Sequence, residues 1–317
     1  MNISIISNSF VALPAIIQLV KTQQVSSLVV ADKNPRYVAQ IQEIAEHSHI
    51  DCVVVSREDF VPVLQKNYAE SGLQLVLVIS FPWQLPEVLL DLPAFGFVNT
   101  HFGKLPEYRG PDPLFWTLKN GATETAVSFH QMSPAMDEGA ILLEQIIPIH
   151  NKENYGLLEY RLSMEIYPLT EKLLAELPGS SSPVEQDQSV AKWWPRPTEA
   201  DLTIDWQQMK SDEILGLIRA ANPYHVGART QIKGMPVNII EAEYASGQTQ
   251  SKIPGSIIHV DASHGLFVLC KDMKCIRINA LSCDLGVFST FASPLLGLMA
   301  GDVFDPLEQW QPMPEVV

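Results

Sequence analysis

Residues 73–101 of the chain read LQLVLVISFPWQLPEVLLDLPAFGFVNTH, two apolar runs separated by a proline-rich segment. The first run covers residues 73–79 and the second covers residues 95–100, and turn-forming residues bound each of them. Short uninterrupted apolar runs are typical of strands that are buried on both faces of a parallel sheet. The stretch therefore predicts two such strands, the second of which carries Asn99 and is followed directly by His101.

On either side of this stretch, apolar runs alternate with segments of helical spacing. Before it, strands are predicted at residues 3–6, 27–31 and 52–55, and helices at residues 11–21, 35–47 and 57–70. After it, strands are predicted at residues 126–132 and 140–149, and a long closing helix at residues 155–177. Alternating strands and helices imply right-handed crossovers that cover both faces of a sheet. The first half therefore predicts an α/β fold with a Rossmann-like, mostly parallel sheet.

A turn-rich boundary follows this first domain. Residues 178–183 read PGSSSP, and residues 186–200 contain further prolines without clear periodicity. This composition is typical of a linker that runs across a surface. We therefore predict a first domain at residues 1–182, a linker at residues 183–202 and a smaller second domain at residues 203–317.

The sequence pattern changes in the second domain. One helix is predicted at residues 211–221, and short strands with turn signals between them are predicted at residues 236–242, 255–260, 265–270 and 275–280. Successive short strands are typical of small antiparallel barrels. We therefore predict a C-terminal β-barrel of OB-like type.

The charge of the chain limits its partners. It carries 21 Lys+Arg against 36 Asp+Glu, a formal net charge of −15 at pH 7. Residues 201–317 alone hold eight Lys+Arg and thirteen Asp+Glu, a net charge of −5. Since nucleic acids and anionic membranes attract clustered Lys and Arg, this balance disfavours both kinds of partner.

Several classes of protein are excluded by motifs that are missing. No glycine precedes Gly72, so the first strand cannot lead into the G-x-G-x-x-G turn of a dinucleotide-binding enzyme. The first 20 residues lack a basic segment and predict a strand and a helix rather than a signal peptide. No apolar run is long enough to predict a transmembrane helix.

The cysteines and C-terminal histidines indicate neither a disulfide framework nor a metal site. The four cysteines form no C-x-x-C pair, so reduced thiols and a cytoplasmic location are predicted. The spacing of His259, His264, Cys270, Cys275 and Cys283 matches no familiar zinc motif, so no metal is predicted there.

The residues with catalytic potential lie near the end of the second apolar run. Asn99 and His101 are separated by one residue, so a strand would place both side chains on one face, at its carboxyl end. Asp137 lies further on in a turn that ends at Gly139. Together these groups suit amide-type chemistry. Asn donates a hydrogen bond to a developing oxyanion, His moves a proton, and Asp orients the His and stabilises its charged form.

The same residues stand in a pattern that strongly resembles the folate-dependent formyltransferases. That family includes methionyl-tRNA formyltransferase and the sugar N-formyltransferases. The pattern is Asn99-Thr100-His101, then Leu105-Pro106-x-Tyr108-Arg109-Gly110, then Asp137-x-Gly139. The resemblance covers nearly the whole chain, including Trp83-Gln84-Leu85-Pro86 in the first half and Ile204-Asp205-Trp206 beyond the linker.

The resemblance implies a reaction and a set of site residues. The formyl donor would be 10-formyltetrahydrofolate, and the catalytic residues would be Asn99, His101 and Asp137. The folate would be held largely by backbone of two segments that contain Phe81, Trp83, Leu85, Ala135, Met136, Glu138 and Gly139. The acceptor side would include Ser9, Phe10 and Arg109.

The acceptor is the least determined part of this assignment. The chain departs from the family in Ser7-Asn8-Ser9, near the acceptor side, and in Phe102-Gly103-Lys104, after His101. Its acidity favours a small primary amine, on a nucleotide-linked amino sugar, over initiator methionyl-tRNA. A hydrolase that passes the formyl group to water stays open, as does a homodimer. A non-catalytic binding module is disfavoured by the intact trio of Asn99, His101 and Asp137.

Four further residues have competing interpretations. Arg109 could hold a carboxylate or phosphate of a ligand, or it could pin its own loop. His130 is interpreted as a core residue of a strand. Trp193 and Trp194 are expected to pack against the first domain rather than to form an acceptor platform.

Overall fold

The computed structural model describes residues 2–22, 24–69, 71–177, 182–246 and 251–306 of the chain. Most of the predicted boundary turn, residues 178–181, and the end of the predicted barrel, residues 307–317, lie outside the described residues. Contacts divide the chain into two compact units. The first unit comprises Met1–Pro113, Glu124–Ile149 and Leu158–Pro195, and the second comprises Leu114–Thr123, His150–Leu157 and Arg196–Val317. The domain boundaries drawn from the sequence stay predictions.

Seven strands form the sheet of the first unit. They are β1 (Ile3–Ser7), β2 (Val25–Ala31), β3 (Asp51–Val55), β4 (Leu75–Ile79), β5 (Phe97–His101), β6 (Glu124–Gln131) and β7 (Ile141–Pro148). Their order across the sheet is β3-β2-β1-β4-β5-β6-β7. The first five pair in parallel, whereas β6 and β7 are antiparallel. The predicted Rossmann-like, mostly parallel sheet is therefore confirmed.

The helices between and after these strands are α1 (Leu13–Lys21), α2 (Pro35–Ser48), α3 (Phe60–Ala69), α4 (Glu87–Leu90), α5 (Pro113–Lys119) and α6 (Tyr155–Glu176). The periodicity predicts α1, α2, α3 and α6, whereas the short helices α4 and α5 were not predicted. Helix α3 begins three residues later than predicted because Ser56 and Asp59 bond to each other's backbone N–H and form a turn first. In the described part of the chain, no helix is long and apolar enough to cross a membrane.

The centre of the first sheet consists of β1 and β4, whose residues are all buried. Uninterrupted burial requires apolar side chains on both faces, which explains their continuous hydrophobic sequence. Two serines interrupt this pattern in β1, and both have a tyrosine partner. The Ser4 and Tyr68 hydroxyls lie 2.9 Å apart, and the Tyr37 hydroxyl donates to Ser7 Oγ at 2.9 Å. These bonds compensate for the burial of the hydroxyl groups.

The strand register brings several chain segments to one edge of this sheet. Ser7 lies opposite Ile79, and Ile79 lies opposite Thr100, so β1, β4 and β5 end side by side. Strand β6 runs the other way, and its residue His130 lies directly opposite Asn99. The polar end of β5 is therefore flanked by the segment that follows β4 on one side and by β6 on the other.

The second unit contains a curled antiparallel sheet. Its strands are β8 (Ala228–Ile232), β9 (Met235–Ala245), β10 (Ile257–Asp261), β11 (Gly265–Leu269), β12 (Cys275–Cys283), β13 (Gly286–Ser289) and β14 (Phe304–Asp305). The same unit includes α5 from Leu114 onward and the helices α7 (Glu199–Leu202) and α8 (Ser211–Ala220). The order is β10-β11-β12-β9-β8-β14, and β13 pairs with β12.

The two ends of this second sheet are joined beside Gly255. The N–H of Phe304 donates to Gly255 O at 2.9 Å, and Ser256 bridges to Val303. The predicted barrel-like second domain is confirmed in this curled form. Strand β8 was not predicted because the sequence of Ala228–Ile232 contains no apolar run. In the structure its residues are alternately buried and half-buried.

We expect Gly255→Ala to destabilise the second unit more than Gly234→Ala. Both glycines have positive φ, +85° and +74°, so either substitution strains the backbone by about 1 kcal/mol. At Gly255, however, a Cβ would lie 2.5 Å from Phe304 O, whereas at Gly234 it would meet nothing within 4 Å. Overpacking should bring the loss at Gly255 to about 3 kcal/mol. Urea unfolding followed by circular dichroism measures both losses, and equal losses would contradict the close packing.

Candidate active site

Asn99 and His101 lie on one face of β5 at its carboxyl end, as predicted. The loop after β5 then folds back over His101, and the Tyr108 carbonyl accepts a hydrogen bond from His101 Nε2 at 2.6 Å. Because a carbonyl can only accept, Nε2 carries the proton and Nδ1 is unprotonated in the neutral ring. Gly103 permits this fold: a Cβ there would lie 2.9 Å from both His101 Nε2 and Tyr108 O.

Asp137 faces the unprotonated side of the His101 ring. Its Oδ1 lies 3.7 Å from His101 Nδ1, and its Oδ2 accepts from the Gly110 N–H at 2.9 Å. The side chains of His101 and Asp137 are only 5% and 8% exposed. The structure therefore brings the predicted trio together: Asn99 and His101 share a strand, and Asp137 reaches them from the loop after β6.

The environment sets the charge of both ionisable groups. Burial alone would raise the pKa of Asp137, but His101, His130 and the Gly110 N–H outweigh it and lower that pKa to about 2. Burial lowers the pKa of His101 from its ordinary value, although Asp137 opposes this change. At neutral pH the site therefore combines an ionised carboxylate with a neutral imidazole, which is the charge state of a general base.

His130, which the sequence pattern predicts to be a core residue, also contacts Asn99 and Asp137. The residue is buried, and its Nδ1 donates to Gln131 O at 3.1 Å. Its Nε2 then accepts from the Asn99 amide Nδ2 at 3.1 Å and lies 3.5 Å from Asp137 Oδ1. The signal that could have located it is the antiparallel register of β5 and β6, which the sequence does not reveal.

The two segments predicted to hold folate lie next to each other. Gln84 Nε2 donates to Pro134 O at 3.0 Å and so connects the segment after β4 with the loop after β6. In the first segment, Phe81 packs edge-on against Trp83 with ring centroids 5.2 Å apart, and Leu85 is buried beside them in one apolar cluster.

The second folate segment is more open. Ala135, Met136 and Glu138 are exposed, whereas Gly139 is half-buried. Gly139 is packed against β6, where a Cβ would lie 1.8 Å from Gln131 O. The loop therefore exposes the side chains of Ala135, Met136 and Glu138, while its backbone at Gly139 is packed against the sheet.

Of the three predicted acceptor-side residues, Arg109 is buried and Phe10 is exposed. Arg109 is buried and bonds to Gln186 and Gln188, and its Nη1 lies 3.5 Å from Glu138. These contacts favour the loop-pinning interpretation of Arg109. Ser9 caps the short 3-10 turn Phe10–Ala12, and Phe10 is exposed at the end of β1. Among the described residues, no contact connects Ser9 or Phe10 with the catalytic trio.

Residues 184–194, part of the predicted linker, pair with the site as an extended strap. At one end, Val184 and Ile141 exchange two backbone bonds of 2.9 Å. At the other, Arg109 N–H donates to Lys192 O at 3.0 Å, and Trp194 N–H donates to Arg109 O at 2.9 Å. The Trp194 ring stacks on Tyr108, as its predicted packing requires, whereas Trp193 is exposed.

The C-terminal histidine and cysteine residues belong to the second unit. Cys270 and Cys275 are buried in or beside strands. His259 and His264 each bond to Asp261 on the exposed hairpin of β10 and β11, and the ligand atoms of the three lie within 4.8 Å of one another. The absence of a metal stays a prediction.

We predict that Asp137 contributes stability that acid removes. Its pKa is lowered from 3.8 to about 2, so the contribution is present above about pH 4 and is lost as the pH falls through about 2. The difference in free energy of unfolding between wild type and Asp137→Asn should shrink by about 1 kcal/mol from pH 6 to pH 3. Urea unfolding at several pH values measures it. Glu138→Gln, an exposed neighbour, is the control and should show no such change.

Comparisons with known proteins agree on one family. Residues 1–167 match the formyl transferase family, and residues 197–284 match the formyl transferase C-terminal domain. Over 242 residues the chain is 31% identical to methionyl-tRNA formyltransferase of Geobacter metallireducens, covering 73% of this chain and 76% of that protein.

Solved structures show the same fold at lower identity. WlaRD, a sugar 3N-formyl transferase, has a TM-score of 0.65 at 15% identity, covering 87% of this chain and 96% of its own. HypX from Aquifex aeolicus has a TM-score of 0.62 at 16% identity; the match covers 93% of this chain but only 47% of HypX. With both regions of its sequence matched and a methionyl-tRNA formyltransferase 31% identical over most of its length, this chain belongs to the formyl transferase family of enzymes.

Proposed function

We propose that the chain transfers the formyl group of 10-formyltetrahydrofolate to a primary amine, on a nucleotide-linked amino sugar. The observation that supports the transfer is the cluster of a half-buried Asn99 with a neutral His101 and an ionised Asp137, both of which are buried. The crystal structure of WlaRD, a sugar 3N-formyl transferase, was determined in the presence of dTDP and 5-N-formyl-THF, which supports both the donor and the acceptor class.

The residues present fit a folate. A planar heterocycle needs apolar walls and a few polar groups that fix its orientation. Phe81 is half-buried and offers apolar surface, Trp83 packs behind it, and Gln84 connects their segment to the loop of residues 133–139. Trp83 Nε1 is buried and has no acceptor among the described residues, which leaves an N–H for a ligand. When bound, the donor would supply an activated formyl carbon.

The proposed proton transfers follow from the hydrogen bonds of the site. Attack of the amine on the formyl carbon puts negative charge on the formyl oxygen. The Asn99 amide bonds His130 through one N–H, so its second N–H can donate to that oxygen. His101 Nδ1 takes the proton that the amine loses, because Nε2 already donates to Tyr108 O. Asp137 stabilises the resulting imidazolium, which returns the proton to the departing folate nitrogen.

The charges of the second unit support a small acceptor. Six of its cations face carboxylates: Lys119 with Asp201, Lys152 and Arg277 with Glu243, Arg229 with Glu199, Lys233 with Asp302, and Lys274 with Asp272. Paired cations are poor partners for phosphates, since binding RNA would require them to leave their carboxylates.

The four free thiols support the predicted cytoplasmic location.

Methionyl-tRNA is the second candidate acceptor. Its support is the 31% identity to a methionyl-tRNA formyltransferase over most of the chain. The same site geometry would serve this amine, so the choice depends on the surface that binds the rest of the acceptor. Transfer to water, the hydrolase alternative, would show as formate release in the absence of any amine.

We predict that His101→Ala and Asn99→Ala each lower turnover by at least about 10²-fold, as expected for loss of a general base or of an oxyanion donor. Steady-state rates with the folate donor measure the loss. His47→Ala, which removes an exposed histidine of α2, is the control. Thermal melting with 5-formyltetrahydrofolate should show that both variants stay folded and still bind folate. A variant with a wild-type rate would remove that residue from the mechanism.

We predict that an amino-sugar nucleotide is formylated efficiently and methionyl-tRNA poorly at physiological salt. The reason is the net charge of −5 of residues 201–317 together with the pairing of the cations in the second unit. The measurement is a competition with one folate donor, in which both formylated products are quantified. Efficient formylation of the RNA alone would reject the amino sugar and leave the catalytic proposal standing.

A further inference from the structure

The side chain of Gln186 lies between two parts of the site. It belongs to the strap of residues 184–194 and is only 6% exposed. Its Oε1 accepts from Arg109 Nε at 2.9 Å and from Arg109 Nη2 at 2.8 Å. Its Nε2 donates to Asp137 O at 2.8 Å and to Gly139 O at 2.7 Å.

These four bonds use the full capacity of a side-chain amide, which has two donor hydrogens and two acceptor lone pairs. They also determine its orientation. A guanidinium has only donors and a carbonyl has only acceptors, so a flipped amide would place donor against donor and acceptor against acceptor. Gln186 is therefore held in one orientation, between Arg109 on one side and the loop that carries Asp137 on the other.

Asp137 needs such support because its backbone is strained. Its φ of 57° lies in the left-handed region, which is unfavourable for a residue with a Cβ. Strained backbone of this kind persists only where its surroundings over-determine it. The two bonds from Gln186 hold the peptide groups that follow Asp137 and Gly139. They thereby help to keep the Asp137 carboxylate on the Gly110 N–H and beside His101.

We propose that Gln186 is a positioning residue for the reaction: through its amide it holds the loop backbone that directs the Asp137 carboxylate at His101. This inference rests on the proposed function, in which Asp137 stabilises the charged form of His101. It assigns to the predicted linker a part in the active site of the first unit.

Two substitutions of Gln186 distinguish its bonds to Arg109 from its bonds to the loop that carries Asp137. Gln186→Glu keeps an acceptor for Arg109 but cannot donate to Asp137 O and Gly139 O. Gln186→Leu removes both sets of bonds. The control is Gln188→Ala, because Gln188 accepts from Arg109 at 3.2 Å and has no bond to the loop. We expect both Gln186 variants to lower kcat about tenfold or more, with a smaller change in KM, and the control to change kcat by about twofold at most.

A pH titration distinguishes positioning from general structural support. His101 is faced by Asp137, by the His130 ring and by the Tyr108 carbonyl, and Asp137 is the carboxylate among them. If Asp137 turns away in the variants, the pKa of His101 falls further. The acid limb of the kcat/KM profile should then move to lower pH in both Gln186 variants, while melting temperature shows that the chain is folded.

The same titration followed by NMR of the His101 ring needs no substrate, so it tests the positioning even if the proposed reaction is wrong. An unchanged His101 titration in both Gln186 variants would overturn the inference. So would a wild-type kcat in Gln186→Glu together with a reduced kcat in Gln186→Leu, since only the contact with Arg109 would then matter. Failure of the wild-type chain to formylate any amine would instead reject the proposed function.

Discussion

The central constraint in this molecule is a charged carboxylate that is removed from water. An ionised group in a protein interior is tolerated only when it is paired and hydrogen-bonded, since an uncompensated buried charge costs several kcal/mol. The Asp137 carboxylate accepts the Gly110 N–H at 2.9 Å and lies within 3.7 Å of two imidazole rings, whose protonated forms it stabilises. These partners come from separate segments of the first unit, so burying one carboxylate links β5, β6 and both of the loops that follow them.

Side-chain amides connect the loops at this edge. Gln84 connects the segment after β4 to the loop after β6, and Gln186 connects that loop to Arg109. Such side chains have donors and acceptors in one rigid amide, so each can satisfy two backbone segments at once. A fully satisfied polar network specifies a single arrangement, which a preorganised site requires.

The family and the acceptor rest on different parts of the molecule. The two matched regions, residues 1–167 and 197–284, establish the formyl transferase family. The acceptor depends on surfaces that recognise whatever carries the amine, and here sequence relatives and structural neighbours point to different molecules. The acidic second unit and its paired cations are the features of this chain that bear on that choice.

The sequence by itself determined the alternation of strands and helices, the barrel-like second domain and the candidate trio. These follow from local patterns: apolar runs, turn residues, and the two-residue spacing that puts Asn99 and His101 on one strand face. Tertiary structure alone decided that His130 joins them, because an antiparallel register sets which residues of β5 and β6 are opposite. It also decided that residues 184–194 pack on the site, since the partners of Gln186 lie 47 to 77 residues away in the chain. Composition reveals where a segment lacks periodicity, but not which distant carbonyls and guanidinium its side chains will meet.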